Sequence, residues 1–143
     1  MSKGDTFEND WLKLVFNATA IANLADNASA SPVTNLYVSF HTADPGEAGS
    51  QTTSEASYTG YARTAVARTA GGWAVTGSSA SPVADVTAPT STGGSTTTLT
   101  HAAVGTVISG AGKILYRGAL TPSITMATGV APKLGAGSTF TED

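Results

Sequence analysis

The sequence lacks cysteine altogether and is poor in charged residues, which make up 12% of its 143 positions. The absence of cysteine excludes disulfide cross-links and thiolate metal sites. No run of about 18 apolar residues occurs, so the sequence predicts no membrane-spanning helix. The net charge of −3 is opposite in sign to the basic surface that general nucleic-acid binding requires. We therefore expect neither a nucleic acid nor a membrane among the partners.

Four small residue types, Ala, Gly, Ser and Thr, account for more than half of the chain. Together with the low charge, this composition is more typical of a structural or assembly module than of an enzyme. The segment Met1–Asp5 is polar and contains no apolar signal core, so we expect no export through a secretory pathway.

The N-terminal region has the period of a helix. Apolar residues recur at spacings of three and four at Phe7, Trp11, Leu14, Ala18 and Ile21, and Leu12, Val15 and Phe16 widen this stripe. This spacing predicts a helix over about residues 6–24. Such a stripe usually packs onto its own domain. The alternative is that it docks on a second copy or another protein, with Phe7, Trp11 and Leu14 as anchors.

The rest of the chain, from about residue 33 to 142, alternates short strand patterns with turns. Strands are predicted near residues 36–41, 61–68, 73–76, 83–88, 96–107, 113–120, 124–126, 131–134 and 138–141. We expect Thr121-Pro122 to interrupt the pairing and the segment 47–59 to form a surface loop. The predicted architecture is a single, mainly β domain, an antiparallel β-sandwich or jelly-roll-like barrel with one N-terminal helix.

Residues with catalytic potential are few. Neither His41 nor His101 stands in a metal-binding or nucleophile motif, and a surface or cross-strand polar contact is the simpler interpretation of both. A glycan hydrolase would need two facing carboxylates, for which Glu55 and Asp85 are the arguable pair. We expect no enzyme activity, no cofactor and no metal.

The basic residues are more informative as a group. No acidic residue occurs from 86 to 141, whereas cations recur in and before that segment at Arg63, Arg68, Lys113, Arg117 and Lys133. If the strands that carry them are neighbours, one sheet face is mildly positive and suited to an acidic partner surface. The alternative is ordinary scattered surface charge. Arg63, Arg68 and Arg117 are therefore candidate interaction residues.

Several segments, taken in order, resemble a family of small virion proteins of tailed bacteriophages that are commonly labelled tail fibre proteins. The segments that carry this resemblance are residues 7–16 (FENDWLKLVF), 35–45 (NLYVSFHTADP), 60–66 (GYARTAV), 99–105 (LTHAAVG) and 115–120 (LYRGAL). The resemblance covers nearly the whole chain. It implies a non-enzymatic virion protein made in the bacterial host cytoplasm, and it carries over no catalytic residues.

Two hypotheses about the position in the virion follow. The first is a capsid decoration (cement) subunit on the capsid surface, which binds the major capsid protein and copies of itself as a dimer or trimer. A compact chain without repeats favours it. The alternative is a tail-associated or tail-fibre protein that contacts other tail proteins and takes part in host attachment. Such a binder should expose aromatic rings for stacking on sugars, and the candidates are Tyr58, Tyr61, Trp73 and Tyr116.

Overall fold

The structure, a computed structural model, describes residues 5–21, 32–94 and 96–142. Within these ranges, one helix precedes nine strands: α1 (Asp5–Asn17), β1 (Asn35–His41), β2 (Thr64–Ala67), β3 (Trp73–Thr76), β4 (Ser79–Pro82), β5 (Val86–Thr87), β6 (Thr98–Gly105), β7 (Ile114–Thr125), β8 (Lys133–Leu134) and β9 (Phe140–Thr141). The predicted class, a mainly β antiparallel sandwich-type fold with an N-terminal helix, is confirmed. Within the described ranges, no helix has the length and apolarity needed to cross a bilayer.

The chain divides into two compact units. The first comprises residues 1–35, 66–85 and 135–143, and the second comprises residues 36–65 and 86–134. The first unit contains α1 and a three-stranded sheet in the order β3-β4-β9, and α1 packs against β3 and β4. The second unit holds most of a four-stranded sheet in the order β2-β1-β6-β7, together with the two-stranded sheet β5-β8.

The helix is shorter than the sequence predicts. It ends at Asn17 instead of near residue 24, and Ala18 adopts a left-handed conformation with φ of 54°. Arg68 supplies a reason for this end, because its guanidinium donates hydrogen bonds to the carbonyls of Leu14 and Val15. These carbonyls belong to the last turn, where the helix provides no N–H partner. The predicted end near residue 24 lies within residues 22–31, which are outside the described residues.

Only part of the predicted apolar stripe is buried. Leu12 and Phe16 are fully buried, whereas Phe7 and Trp11 are 40% and 39% exposed. The ring of Phe16 lies 4.9 Å from that of Trp73 and 5.8 Å from that of Phe140, measured between centroids. The wide apolar stripe of the sequence therefore splits into a core face, which carries the aromatic cluster of the first unit, and an exposed face.

The strand pattern is confirmed with three corrections. β7 is one strand from Ile114 to Thr125 instead of two, but its pairing with β6 is interrupted between Ala119 and Ile124, around the cis peptide Thr121-Pro122, as predicted. β4 was not predicted, because its alternating burial rests on small side chains, Ala80 and Pro82, that hydropathy does not distinguish from a turn. The predicted strands at 61–68, 83–88, 131–134 and 138–141 are shorter in the structure, as β2, β5, β8 and β9.

The segment 47–59 is a loop with many exposed residues, as predicted, but some of its side chains anchor it in the interior. Gln51 is fully buried, and Ala56 and Tyr58 are nearly so. Both faces of β1 are enclosed, because Ser39 and His41 are fully buried on the face opposite Val38 and Phe40. Polar groups enclosed in this way need internal hydrogen-bond partners, which the second unit provides.

Candidate interaction surfaces

A buried ion pair between Arg63 and Glu55 organises the second unit. The guanidinium Nε lies 2.6 Å from Oε1 of Glu55, Nη2 lies 2.8 Å from Oε2, and the two side chains are 2% and 16% exposed. The remaining guanidinium bonds go to the carbonyls of Val107 at 3.0 Å and Gly110 at 2.8 Å. Arg63 thus ties the segment after β1 to the turn between β6 and β7. The structure places this predicted interaction residue in the interior, where these bonds are to its own chain.

Tyr61 extends the ion pair toward β1. Its hydroxyl donates to Oε1 of Glu55 at 3.0 Å and accepts the backbone N–H of Phe40 at 3.1 Å. Burial raises the pKa of the Tyr61 hydroxyl well above its ordinary value, so the hydroxyl stays protonated and remains a donor to the carboxylate.

Gln51 fixes the other end of the same segment. Its Oε1 accepts the backbone N–H groups of Thr106 at 2.9 Å and Val107 at 3.0 Å. The amide reaches these groups because it passes close over Gly105 and Gly112, and a Cβ atom at Gly105 would lie 2.1 Å from Cδ of Gln51. Glycine is required at Gly105 by this close approach.

Replacing Gly105 by alanine is therefore expected to lower the free energy of unfolding by about 1–3 kcal/mol, the usual cost of overpacking. The added methyl must displace Gln51 and break its bonds to the turn. Gly118→Ala is the matched control, since a Cβ at Gly118 meets nothing within 4 Å. Urea unfolding of both variants checks this, and equal stabilities would show that Gln51 adapts without cost.

Ser39 and His41 form a hydrogen-bonded pair inside the second unit. Nδ1–H of His41 donates to the carbonyl of Thr53 at 2.8 Å, which leaves Nε2 to accept the Ser39 hydroxyl at 2.9 Å. This arrangement resembles a serine nucleophile with its base. Both side chains, however, have no exposed surface, so a substrate cannot reach the hydroxyl. The spacing Ser-x-His on one strand face was the signal for this pair in the sequence.

Burial lowers the pKa of His41 below its ordinary value of 6.5. The Thr53 carbonyl and the Glu55 charge favour the imidazolium and raise the pKa, but burial has the larger effect. Arg63 and His101 lower the pKa further. The unfolded chain therefore takes up a proton below pH 6.5 that the folded chain excludes. We expect the free energy of unfolding to fall as the pH decreases from about 6.5, by up to ~1.4 kcal/mol per pH unit. His41→Asn should remove this slope in urea titrations between pH 7.5 and 5.5. His101→Asn, the control, should retain it, and a slope that survives in the His41 variant would contradict the assignment.

The predicted helix anchors lie in the first unit. Phe7 and Trp11 are one turn apart on the exposed face of α1, and Leu14 is half-buried. The Arg68 guanidinium is hydrogen-bonded to carbonyls at the C-terminal end of the same helix. It also donates to the carbonyl of Val33 at 3.3 Å. A cation at this end complements the negative pole of the helix dipole, and the last turn of α1 has no basic residue of its own. Arg68 therefore stabilises the helix that presents Phe7 and Trp11.

Arg117 is bound at the surface of the second unit. Its Nη1 lies 2.8 Å and 2.9 Å from the two carboxylate oxygens of Asp44. The backbone N–H of Gly46, and then the charge of Arg117, lower the pKa of the Asp44 carboxyl, so the pair stays charged in mild acid. Next to this pair is an open groove of about 430 Å³, lined by Gly46, Glu47, Ile114, Leu115, Tyr116 and Arg117.

Only part of the candidate aromatic set can reach a ligand. Trp73 is fully buried and Tyr58 nearly so, with the Tyr58 hydroxyl donating to the carbonyl of Pro89 at 2.7 Å. Tyr61 is engaged with Glu55. The prediction that Trp73 and Tyr58 are exposed for sugar stacking is therefore wrong, whereas Tyr116 lines the open groove.

The hypothetical carboxylate pair is also divided. Both oxygens of Glu55 are bound by Arg63, and Oδ1 of Asp85 accepts the backbone N–H of Ala136 at 2.9 Å. Glu55 belongs to the second unit and Asp85 to the first. Among the described residues, no group of three or more His, Asp or Glu side chains is arranged to hold a metal ion.

The fold and the sites define a mainly β protein with a buried network of hydrogen-bonded polar side chains. Its surface carries an apolar stripe on the helix and an open groove. A family model described as Podophage GP4 fiber I protein gp80 matches residues 3–141, and the chain belongs to this family. The predicted resemblance to phage tail-fibre-type proteins is thereby confirmed, and the family is one of virion-associated phage proteins. No curated protein matches the chain.

Proposed function

We propose that this protein is a non-enzymatic structural subunit of a bacteriophage particle, located in a fibre or another tail-associated structure. The observation that carries the proposal is the match of residues 3–141 to a phage fibre family. In this position the subunit contacts copies of itself, as a dimer or trimer, and other tail proteins.

The state of the reactive side chains supports a non-enzymatic role. The Ser39–His41 pair has no exposed surface, and the Glu55 carboxylate is held by Arg63 and Tyr61. A general base or nucleophile must reach the proton or atom on which it acts. These groups instead serve the stability of the second unit.

The exposed face of α1 supports a role in assembly. Phe7 and Trp11 expose about two-fifths of their surface on adjacent turns, and aromatic side chains of this kind are frequent anchors of protein interfaces. Repetition of a weak contact in a multi-copy particle adds avidity without any increase in the strength of the single contact.

A capsid decoration subunit, bound to the major capsid protein at the capsid surface, is the second candidate. It is favoured by the compact units of the chain and by a sequence in which only 12% of the residues are charged, a low share for a surface that stays in water. A subunit of this kind adds to many equivalent lattice positions.

Copy number and location in purified virions separate the two candidates. For a fibre or tail subunit, we expect a few dozen copies at most per particle, with the major capsid protein band as internal standard, and antibody label at the tail. A decoration subunit should approach the copy number of the major capsid protein, with label over the capsid. Absence of the protein from purified virions would refute both.

A further inference from the structure

β7 forms an open edge of the four-stranded sheet. The strand order β2-β1-β6-β7 gives β7 a single neighbour, β6. Among the described residues, no backbone–backbone hydrogen bond outside the ladder with β6 involves residues 114–125. An uncovered edge strand presents unpaired N–H and C=O groups, to which another strand can pair. With 12 residues, β7 is also the longest strand in the described part of the chain.

The hydrogen bonds of β1 show which groups of β7 face this edge. Phe40 on β1 directs its backbone N–H to the Tyr61 hydroxyl and its carbonyl to the N–H of Ala56, both away from β6. Its partner on β6, Ala102, therefore directs its own N–H and C=O toward Gly118 on β7. Because these groups alternate in direction along an antiparallel strand, those of the two residues that flank Gly118 point to the open edge.

These two residues, Arg117 and Ala119, each present a backbone N–H and a carbonyl at the edge. The surface around them is open, because Ala119 is exposed and a Cβ atom at Gly118 would meet nothing within 4 Å. The register with β6 is regular over residues 116–119, and it shifts at Leu115, a bulged residue without a partner on β6. The regular segment 116–119 is therefore shaped to accept a further strand.

The edge lacks the features that commonly prevent such pairing. Exposed edge strands are usually protected by charged side chains or by proline. The only charged residue of β7 is Arg117, and its guanidinium is bound by both carboxylate oxygens of Asp44 in the same chain. Pro122 lies beyond the regular segment. Residues 116–119 are thus neither repelled by an uncompensated charge nor blocked by proline.

The position of the charge makes a second copy of the chain a suitable partner for this edge. With a two-fold axis at Gly118, Arg117 of each copy pairs with Ala119 of the other, and these pairs exchange about four backbone hydrogen bonds. Each guanidinium then stands opposite a small, uncharged side chain. An axis at Arg117 would place like charges directly opposite each other, which is destabilising. An axis at Ala119 would pair Arg117 with Thr121, outside the regular segment.

We propose that the open edge of β7 pairs antiparallel with the β7 edge of a second copy, so that the two four-stranded sheets form one continuous sheet. This pairing deepens the proposed function, because it rests on a subunit that occurs in several copies and assigns the self-contact to one surface. The interface is at the small end of specific interfaces, so we expect a Kd in the micromolar range. Further contacts in the particle add avidity.

Sedimentation velocity and residue-resolved amide hydrogen exchange of the full chain, over a hundredfold range of protein concentration, test this pairing. We expect a monomer–dimer equilibrium in which exchange at the amides of Arg117 and Ala119 slows at least about tenfold at the highest concentration. The amide of Gly118, which is directed to β6, should exchange slowly at every concentration. A monomer throughout, a trimer, or a dimer without protection at Arg117 and Ala119 would overturn the proposal.

Two variants of the exposed Ala119 test the register of the pairing. Ala119→Lys places a cation opposite Arg117 of the second copy, twice in each dimer, and should weaken the association at least about tenfold. Ala119→Glu adds a charge of the opposite sign at the same position, and the dimer should persist or become stronger. Equal weakening by both variants would contradict the register and overturn the proposal.

Ala74→Lys is the matched control at another sheet edge. Ala74 is also exposed, and it lies on β3, an edge strand of the sheet β3-β4-β9. This variant should leave the dimer unchanged, whereas a dimer lost in Ala74→Lys and kept in Ala119→Lys would place the self-contact on β3. The location of the protein in purified virions is measured separately, so failure of the pairing is distinguishable from failure of the proposed function.

Discussion

Replacing Arg63 by methionine is expected to destabilise the protein by about 3–5 kcal/mol, the cost of leaving a buried charge without its partner. The substitution removes both bonds to the Glu55 carboxylate, which is only 16% exposed, and the two bonds to the turn carbonyls of Val107 and Gly110. Urea unfolding, followed by circular dichroism at pH 7.5, measures the loss.

The surface pair of the same unit provides the control. Arg117→Met breaks an ion pair whose side chains are 27% and 48% exposed, and pairs of this kind contribute at most about 1 kcal/mol. The double variant Arg63→Met with Glu55→Gln should recover part of the loss, because the uncompensated charge is then absent. Equal effects of Arg63→Met and Arg117→Met would show that the interior pair is solvated.

The role of Arg63 illustrates what the sequence could not reveal. Arg63 and Glu55 are eight residues apart on irregular chain, and no periodicity relates them. Only the folded path of the segment after β1 brings the guanidinium to the carboxylate and to the turn at Val107 and Gly110. A group of cationic residues in a sequence predicts a positively charged surface only when none of their side chains is bound in a buried ion pair.

The helix, in contrast to the buried ion pair, was largely predictable from the sequence. Its start and amphipathic character followed from the spacing of apolar residues, and α1 is present. Its end depends on Arg68, which is remote in sequence and donates hydrogen bonds to the carbonyls of Leu14 and Val15. The apolar stripe was also too wide to indicate which side faces the core, since Trp11 and Leu12 are equally apolar neighbours on it.

Most strands were predictable because β-branched and aromatic residues alternate within them, as in β1 and β6. β4 was not, because small residues form it, and the pairing of Trp73 with Pro82 and Val75 with Ala80 gives it a partner that the local sequence does not indicate. The groove was equally hidden, since it requires the bulge at Leu115 and the segment of Gly46 to be placed together.

Truncation of the aromatic cluster in the first unit is expected to be as costly as loss of the buried ion pair. Trp73→Ala removes a fully buried indole that contacts the rings of Phe16 at 4.9 Å and Phe140 at 6.1 Å between centroids. Removal of a buried aromatic side chain leaves a cavity and typically costs about 3–5 kcal/mol. The measurement is again the free energy of unfolding in urea.

Trp11→Ala is a control with the same chemical change, because Trp11 is 39% exposed and the chain has two tryptophans. We expect it to cost less than about 1.5 kcal/mol, since much of its surface is already in water. Fluorescence separates the two rings: Trp11→Phe should leave a blue-shifted emission from Trp73 that acrylamide quenches poorly, and Trp73→Phe should leave a red-shifted, readily quenched emission from Trp11. If the two alanine variants had equal stability, or the emission of Trp73 were red-shifted, the core of the first unit would not be the Phe16–Trp73–Phe140 cluster.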